Sequence, residues 1–438
     1  MSRSSPLLRA VARVAPWQAV SRGAAALLPI LLATWFGRSS ATDLYSLLSA
    51  VFVLAGSMIF ACFQDSALVR VVLDVERDDR LQLPALVGAL LAYTLTVAAL
   101  LAAVVGVVAG AVVRARTEAA LVPLVGPMAA AFSLYLFALA LRSLFSSLLV
   151  ARFRFVTEAV GTALGACATI TLALALRGRG IAAMPLALAG GEVVAAVVLF
   201  GNLARAGLRP RLNWRRSPAL QRLGRLVASE IGGATVVRAN PLCDQLIAQT
   251  LGVVGGGTML RLSGDLGHAS ASLLGPLFLS ILLGHLAMAG TRGDYRDFRA
   301  TLLRSLAVVT VILGTVALVA GVLRGPLVAA VYGRGAMDAA ALARIAHLLP
   351  YHLIGLAPLG ALMVLARAHV SLGNSRILVG MGALNAAANL ILNLLLSRVM
   401  GLEGIALSTS LVSALVAVVF WIRLRAVLPA PTLAEGRA

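Results

Sequence analysis

Apolar runs long enough to cross a bilayer recur about twelve times along this chain, separated only by short charged or glycine-rich joints. A spanning helix needs roughly 20 mostly apolar residues, and no joint is long enough to fold a domain of its own. Hydrophobic residues make up 60% of the chain and charged ones 12%. Soluble domains hold ~45–50% and ~25% of the two classes. The pattern therefore predicts an all-α polytopic membrane protein of about 12 transmembrane helices.

The charges orient it. All 37 basic side chains are arginine, since the chain has no lysine. With the N-terminus inside, arginine clusters at 3–13, 70–80, 152–154, 205–225, 292–304, 367–376 and 423–437 fall on one side. That is roughly a threefold excess over the other side, which the positive-inside rule makes cytoplasmic. Both termini are expected in the cytoplasm. The net charge of +20 then reads as topology and attraction to anionic membrane lipids, not as a nucleic-acid footprint.

Absences narrow the chemistry. Without lysine the chain has neither a P-loop lysine for an ATP-driven motor nor a Schiff-base lysine. No GxSxG or HExxH pattern occurs. Cys62, Cys167 and Cys243 have no disulfide or zinc spacing. The expectation is a transporter, not an enzyme, needing no organic cofactor and driven by an ion gradient, a membrane potential or substrate supply.

The densest basic stretch runs from Ala204 to Arg225 without one acid and contains Pro210, Trp214 and Pro218. It separates six predicted helices from six. We read residues 1–204 as an N-terminal lobe, 205–222 as a basic cytoplasmic linker and 223–438 as a C-terminal lobe with a short tail. The lobes echo each other weakly, Arg22, Pro29 and Gly37 against Arg238, Pro241 and Gly252. Transporters are often built from two such related bundles.

Several charges fall inside predicted spans: Arg22, Arg142, Arg238 and Arg261, with Glu192, Glu230, Asp244 and Asp265. A charge at mid-membrane costs at least ~2.5–3.5 kcal/mol on insertion scales, so each should face a hydrated cavity or a partner. Arginine suits a phosphate ligand because its planar fork donates paired hydrogen bonds. Arg261 and Asp265, at i and i+4, are equally able to satisfy each other. Arg142 is placed near a helix end, where its head could snorkel to the interface. Asn385, Asn389 and Asn393 share one helix face. They fit either interhelical hydrogen bonding or, with Asp244, an oxygen site for a hard cation.

Short motifs then point to a family. The run Tyr332–Asp338 (YGRGAMD), the stretch from Leu365 (LARAHVSLGNSRILVGMGALNAAANLILNLLLSRVMGLEGIALSTS), Ser21–Arg22 and Phe36–Gly37 through Ala41–Thr42–Asp43 resemble the lipid II flippases, the MurJ/MviN family. The wider group is the multidrug/oligosaccharidyl-lipid/polysaccharide (MOP) superfamily. The resemblance implies two six-helix lobes of MATE-like fold and alternating access. It further implies flipping of an undecaprenyl-diphosphate-linked saccharide, for peptidoglycan or polysaccharide biosynthesis, across a bacterial inner membrane. It makes Arg22 and Asp43 substrate-site residues and offers Arg261 and Asp265 as the counterpart of a family motif in the eighth helix. Leu28 and Gly56 stand where the family carries further arginines. It also implies a Na+ site at Asn389, Asn393 and Thr409, with Asp244 as its carboxylate. Arg22, Asp43, Arg238, Arg261 and Asp265 are therefore the candidate substrate residues. Cell-wall or polysaccharide synthases are the candidate protein partners. The rival readings are a cation-coupled drug exporter of the same fold and a membrane glycosyltransferase or ligase.

Overall fold

The computed structural model describes residues 5–59, 67–78, 82–208, 212–215, 217–225, 238–291, 295–374 and 376–428. Among these every regular element is helical. Cys62 and Glu230, and residues 226–237 of the predicted seventh helix, lie outside them. The chain forms two compact units, Met1–Arg238 and Ala239–Ala438.

In the first unit the helices are α1 (Ser5–Phe36), α2 (Ser40–Ile59), α3 (Ala67–Asp78), α4 (Leu83–Arg116), α5 (Val122–Ala151), α6 (Phe155–Leu176) and α7 (Met184–Arg205). All but α3 are long and apolar enough to span a membrane. The α5 helix is the hub, packing on α2, α3, α4 and α7. Phe132 of α5 stacks on Phe52 of α2, ring centroids 5.4 Å apart, with Tyr45 at 5.5 Å. The α6–α7 contact is made by small residues. A Cβ on Gly165 would sit 2.6 Å from Ala195 Cβ and 2.7 Å from the Gly191 carbonyl oxygen. Membrane helices gain little from burying apolar surface against each other, so such close backbone approach supplies the packing energy.

The α3 helix was not expected. Residues 67–78 read as part of a joint, yet Leu68, Val71 and Val72 are fully buried in the core shared by α4, α5 and α7. That spacing is one helical stripe. Its other side carries acids, which Arg152 grips at Glu76 and Arg222 at Asp74, the latter at 3.1 Å. The described part of the basic stretch also lies on this unit. Leu208 and Leu223 join the same core, and Tyr93 donates to the Trp214 carbonyl at 3.3 Å.

The second unit holds α8 (Asn240–Thr250), α9 (Gly256–Thr291), α10 (Tyr295–Val322), α11 (Arg324–Tyr332), α12 (Ala339–Leu353), α13 (Leu356–Ser371), α14 (Ile377–Met400) and α15 (Leu402–Val427). The predicted tenth span is broken, α12 and α13 meeting at 40°. Pro350 removes one helical donor. Ser410 of α15 donates to the carbonyls this region exposes, Tyr351 and, at 3.3 Å, His352. Only glycine fits opposite, because a Cβ on Gly355 would lie 2.6 Å from Ser410 Cα. Counting the bent pair as one, ten helices among the described residues pass the length and composition test for spanning. The 36-residue α9 lies where the eighth span was predicted, and α8 covers the end of the seventh. About twelve spans thus fits the architecture without being an exact count.

The YGRGAMD motif has a local reason. Gly335 takes a positive φ of 70°, and Asp338 caps α12, accepting from the Ala341 amide at 2.6 Å. Where α14 turns into α15, a Cβ on Gly404 would meet the Leu396 carbonyl oxygen at 2.2 Å. Gly404→Ala is therefore expected to destabilise this turn by ~1–3 kcal/mol, the usual cost of overpacking, seen as a lower melting temperature in detergent.

Candidate substrate and cation sites

Arg22 lies well inside the apolar span Arg13–Phe36. Its side chain is exposed and, among the described residues, makes no hydrogen bond or ion pair. The other interior arginines differ. Arg142 of α5 pairs with Glu192 of α7, which replaces the expectation that it reaches for the interface. Arg238 donates to the Ser57 carbonyl at the end of α2. Arg261 lies within Coulombic reach of Asp265, as does His268. Asp43 occupies the first turn of α2, beside the reciprocal Ser39–Thr42 hydrogen bonds that start the helix. The carboxylate suits the helix dipole there. The predicted substrate residues thus divide between the units: Arg22, Asp43 and Arg238 in the first, Arg261 and Asp265 in the second.

The sequence places two histidines, His268 and His285, in the eighth span, and the surroundings of α9 add His352 and Tyr332. His268 and His352 meet edge to face, ring centroids 5.6 Å apart. His352 packs on the bare backbone of Gly264 and Gly267, where added Cβ atoms would approach it to 3.4 and 3.0 Å. Tyr332 donates to the Leu262 carbonyl at 3.1 Å. The side chain of His285 lies outside the described residues.

The polar face of α14 meets α8 and α15. Asn385 accepts from Asn240 at 2.7 Å. Asn393, fully buried, donates from Nδ2 to Asp244 Oδ1 at 2.6 Å and to Asn389 Oδ1 at 3.1 Å. Its own Oδ1 accepts from Ser408. Asp244, Asn389 and Asn393 therefore come together. The Thr409 hydroxyl donates to the Ile405 carbonyl of its own helix at 3.4 Å. Ser408, one residue earlier, is the hydroxyl that contacts Asn393. The donor set fits a hard cation: a carboxylate, two amide oxygens and a hydroxyl, with Asp244 Oδ1 and Asn389 Oδ1 already converging on the Asn393 amide nitrogen. Thr409→Val should consequently change stability by less than ~0.5 kcal/mol. A melting curve in Na+ against choline checks this, and a lost Na+ response would put Thr409 in the site.

Comparison with known proteins decides the family. The sequence profile of the lipid II flippase MurJ matches residues 32–434. The chain belongs to the MurJ family. It is a multi-pass membrane protein and a flippase of lipid-linked saccharides. Among solved structures, the lipid II flippase MurJ in an inward closed conformation superposes with a TM-score of 0.78 at 13% identity, covering 94% of this chain and 87% of that one. An inward-facing MATE transporter of the MOP superfamily gives 0.70 at 12% identity, over 92% and 97% of the two chains. A MATE transporter from Vibrio cholerae gives 0.61 at 14%, over 97% of each. At such identities these likenesses speak for the fold alone. No curated protein matches by sequence.

Proposed function

We propose that this MurJ-family flippase carries an undecaprenyl-diphosphate-linked saccharide from the inner to the outer leaflet of a bacterial inner membrane, by alternating access, and that Arg22 binds the diphosphate. The carrying observation is the exposed Arg22 guanidinium, without a partner among the described residues, within an apolar span. Such a charge is costly in lipid, and a diphosphate would relieve it with paired, charge-assisted hydrogen bonds. Asp43, Arg238, Arg261 and Asp265 complete the substrate set in this reading. Arg238 contributes from its hold on α2, and Arg261 and Asp265 contribute as a pair on α9.

Both termini lie in the cytoplasm, as the arginine bias requires. Anionic lipids hold the basic stretch at 205–222. The protein transports without chemical change to its substrate, and needs no organic cofactor. Asp244, Asn389, Asn393 and Ser408 would hold Na+, which neutralises the half-buried Asp244 carboxylate when bound. Cell-wall or polysaccharide synthases would be its partners.

The test is flipping in proteoliposomes, following fluorescent lipid II and a fluorescent undecaprenyl-diphosphate oligosaccharide with an external quencher. Quenching of the transported fraction is the expected result, and the faster substrate names the sugar class. A folded protein that flips neither, but expels an organic cation, would replace this reading with that of a drug exporter.

A further inference from the structure

The first unit contains a cleft of about 230 Å³ between α1, α5, α6 and α7, bordered by Ser21, Leu28, Thr162, Thr169, Arg142 and Glu192. Most of its remaining wall is alanine and glycine, so the ion pair is its main polar feature. The pair is not sealed in, with Arg142 and Glu192 side chains 16% and 20% exposed. Glu192 stands near the middle of the span Ile181–Arg205, where neither charge has water as an easy alternative.

The manner of pairing matters. Arg142 holds Glu192 through Nε alone. Elsewhere Arg344 grips Glu403 through both terminal nitrogens, at 2.6 and 2.9 Å. A guanidinium fork satisfied on both prongs is committed to its partner, whereas a single-contact pair leaves donors for a second oxygen. Ser21, on the cleft wall, immediately precedes Arg22. The cleft therefore adjoins the helical turn assigned above to the diphosphate, and a diphosphate has two phosphoryl groups to satisfy.

We infer that this cleft is a phosphate site masked by its own carboxylate: Glu192 occupies the position on Arg142 that a phosphoryl oxygen takes when ligand arrives. The inference rests on the reading of Arg22 as a diphosphate ligand, and adds Arg142 as a second phosphate contact with Glu192 as its competitor. Tyr135 lies within electrostatic reach of the pair. Glu158 stands behind Thr162, accepting from it at 3.0 Å. Among the described residues no other acid borders the cleft, so neutralising Glu192 unmasks Arg142.

The experiment is equilibrium binding of a fluorescent polyprenyl diphosphate to the full-length protein in nanodiscs of neutral phosphatidylcholine. Glu192→Gln keeps the shape and one acceptor, and should bind roughly tenfold tighter, the worth of one charge-assisted contact. Arg142→Gln should bind more weakly than wild type. The double variant Arg142→Gln/Glu192→Gln should lose the gain. Unchanged affinity in a folded Glu192→Gln protein, or a gain that survives in the double variant, overturns the inference. Competition by inorganic pyrophosphate assigns the site to the substrate's diphosphate, and competition only by added phosphatidylglycerol assigns it to a lipid headgroup. Wild-type flipping with no effect of Glu192→Gln would sink this inference alone, whereas absent wild-type flipping would sink the reading beneath it.

Discussion

Arg22→Glu is expected to abolish flipping while leaving a folded protein in the membrane. The side chain has no partner among the described residues, so its removal strands nothing, and the stability change should stay within ~0.5 kcal/mol. The functional change is large. Losing one member of a desolvated, hydrogen-bonded charge pair costs ~2–5 kcal/mol, and reversing its sign adds repulsion from the diphosphate. A drop in flipping rate of about 100-fold or more follows. Arg22→Lys keeps the charge and loses the fork, so it should fall between. Flipping at the wild-type rate by Arg22→Glu, at equal reconstitution, would remove Arg22 from the site.

The sequence exposes Arg22 clearly because its signal is local, one charge inside one apolar run. The same holds for the asparagines of α14, where a spacing of four aligns them whatever the tertiary structure. The Arg142–Glu192 pair was harder to see, because its partners are 50 residues apart and meet only once α5 and α7 are known to be neighbours. That Ser408 is the hydroxyl against Asn393 was hidden for another reason. The α15 helix is apolar around most of its circumference and buried along much of its length, so its rotational phase leaves little trace in hydropathy. For α3 the stripe Leu68, Val71, Val72 and Val75 was present in the sequence. A search for runs of roughly 20 residues passes over a 12-residue amphipathic helix. The bend at Ile354–Gly355 went unread in an apolar run taken as one span, because a proline such as Pro350 is tolerated inside membrane helices and the bend's position depends on Ser410, which approaches from another helix.

Asn393→Leu should be the most destabilising polar substitution in the second unit. One amide there serves three groups on three helices: Asp244 of α8, Asn389 of α14 and Ser408 of α15. Leucine branches at the same atom and is larger, so no cavity forms, and the main cost is that of the stranded acceptors. Ser408 keeps its bond to the Ile405 carbonyl at 2.9 Å. Asp244 Oδ1 and Asn389 Oδ1 each lose this donor. Unsatisfied buried groups cost ~1–3 kcal/mol each, and more when charged, so a total of about 3–5 kcal/mol is expected. Ser408→Ala should cost nearer ~1 kcal/mol. The same variant tests the cation. A site in the folded protein stabilises it by RT ln(1 + [Na+]/Kd). Wild type should therefore melt higher in Na+ than in choline at equal ionic strength, and Asn393→Leu should melt low and alike in both. A normal melting temperature in the variant would show that the cluster contributes little to stability. A low one with the Na+ response intact would place the cation elsewhere and leave the asparagine ladder as interhelical hydrogen bonding.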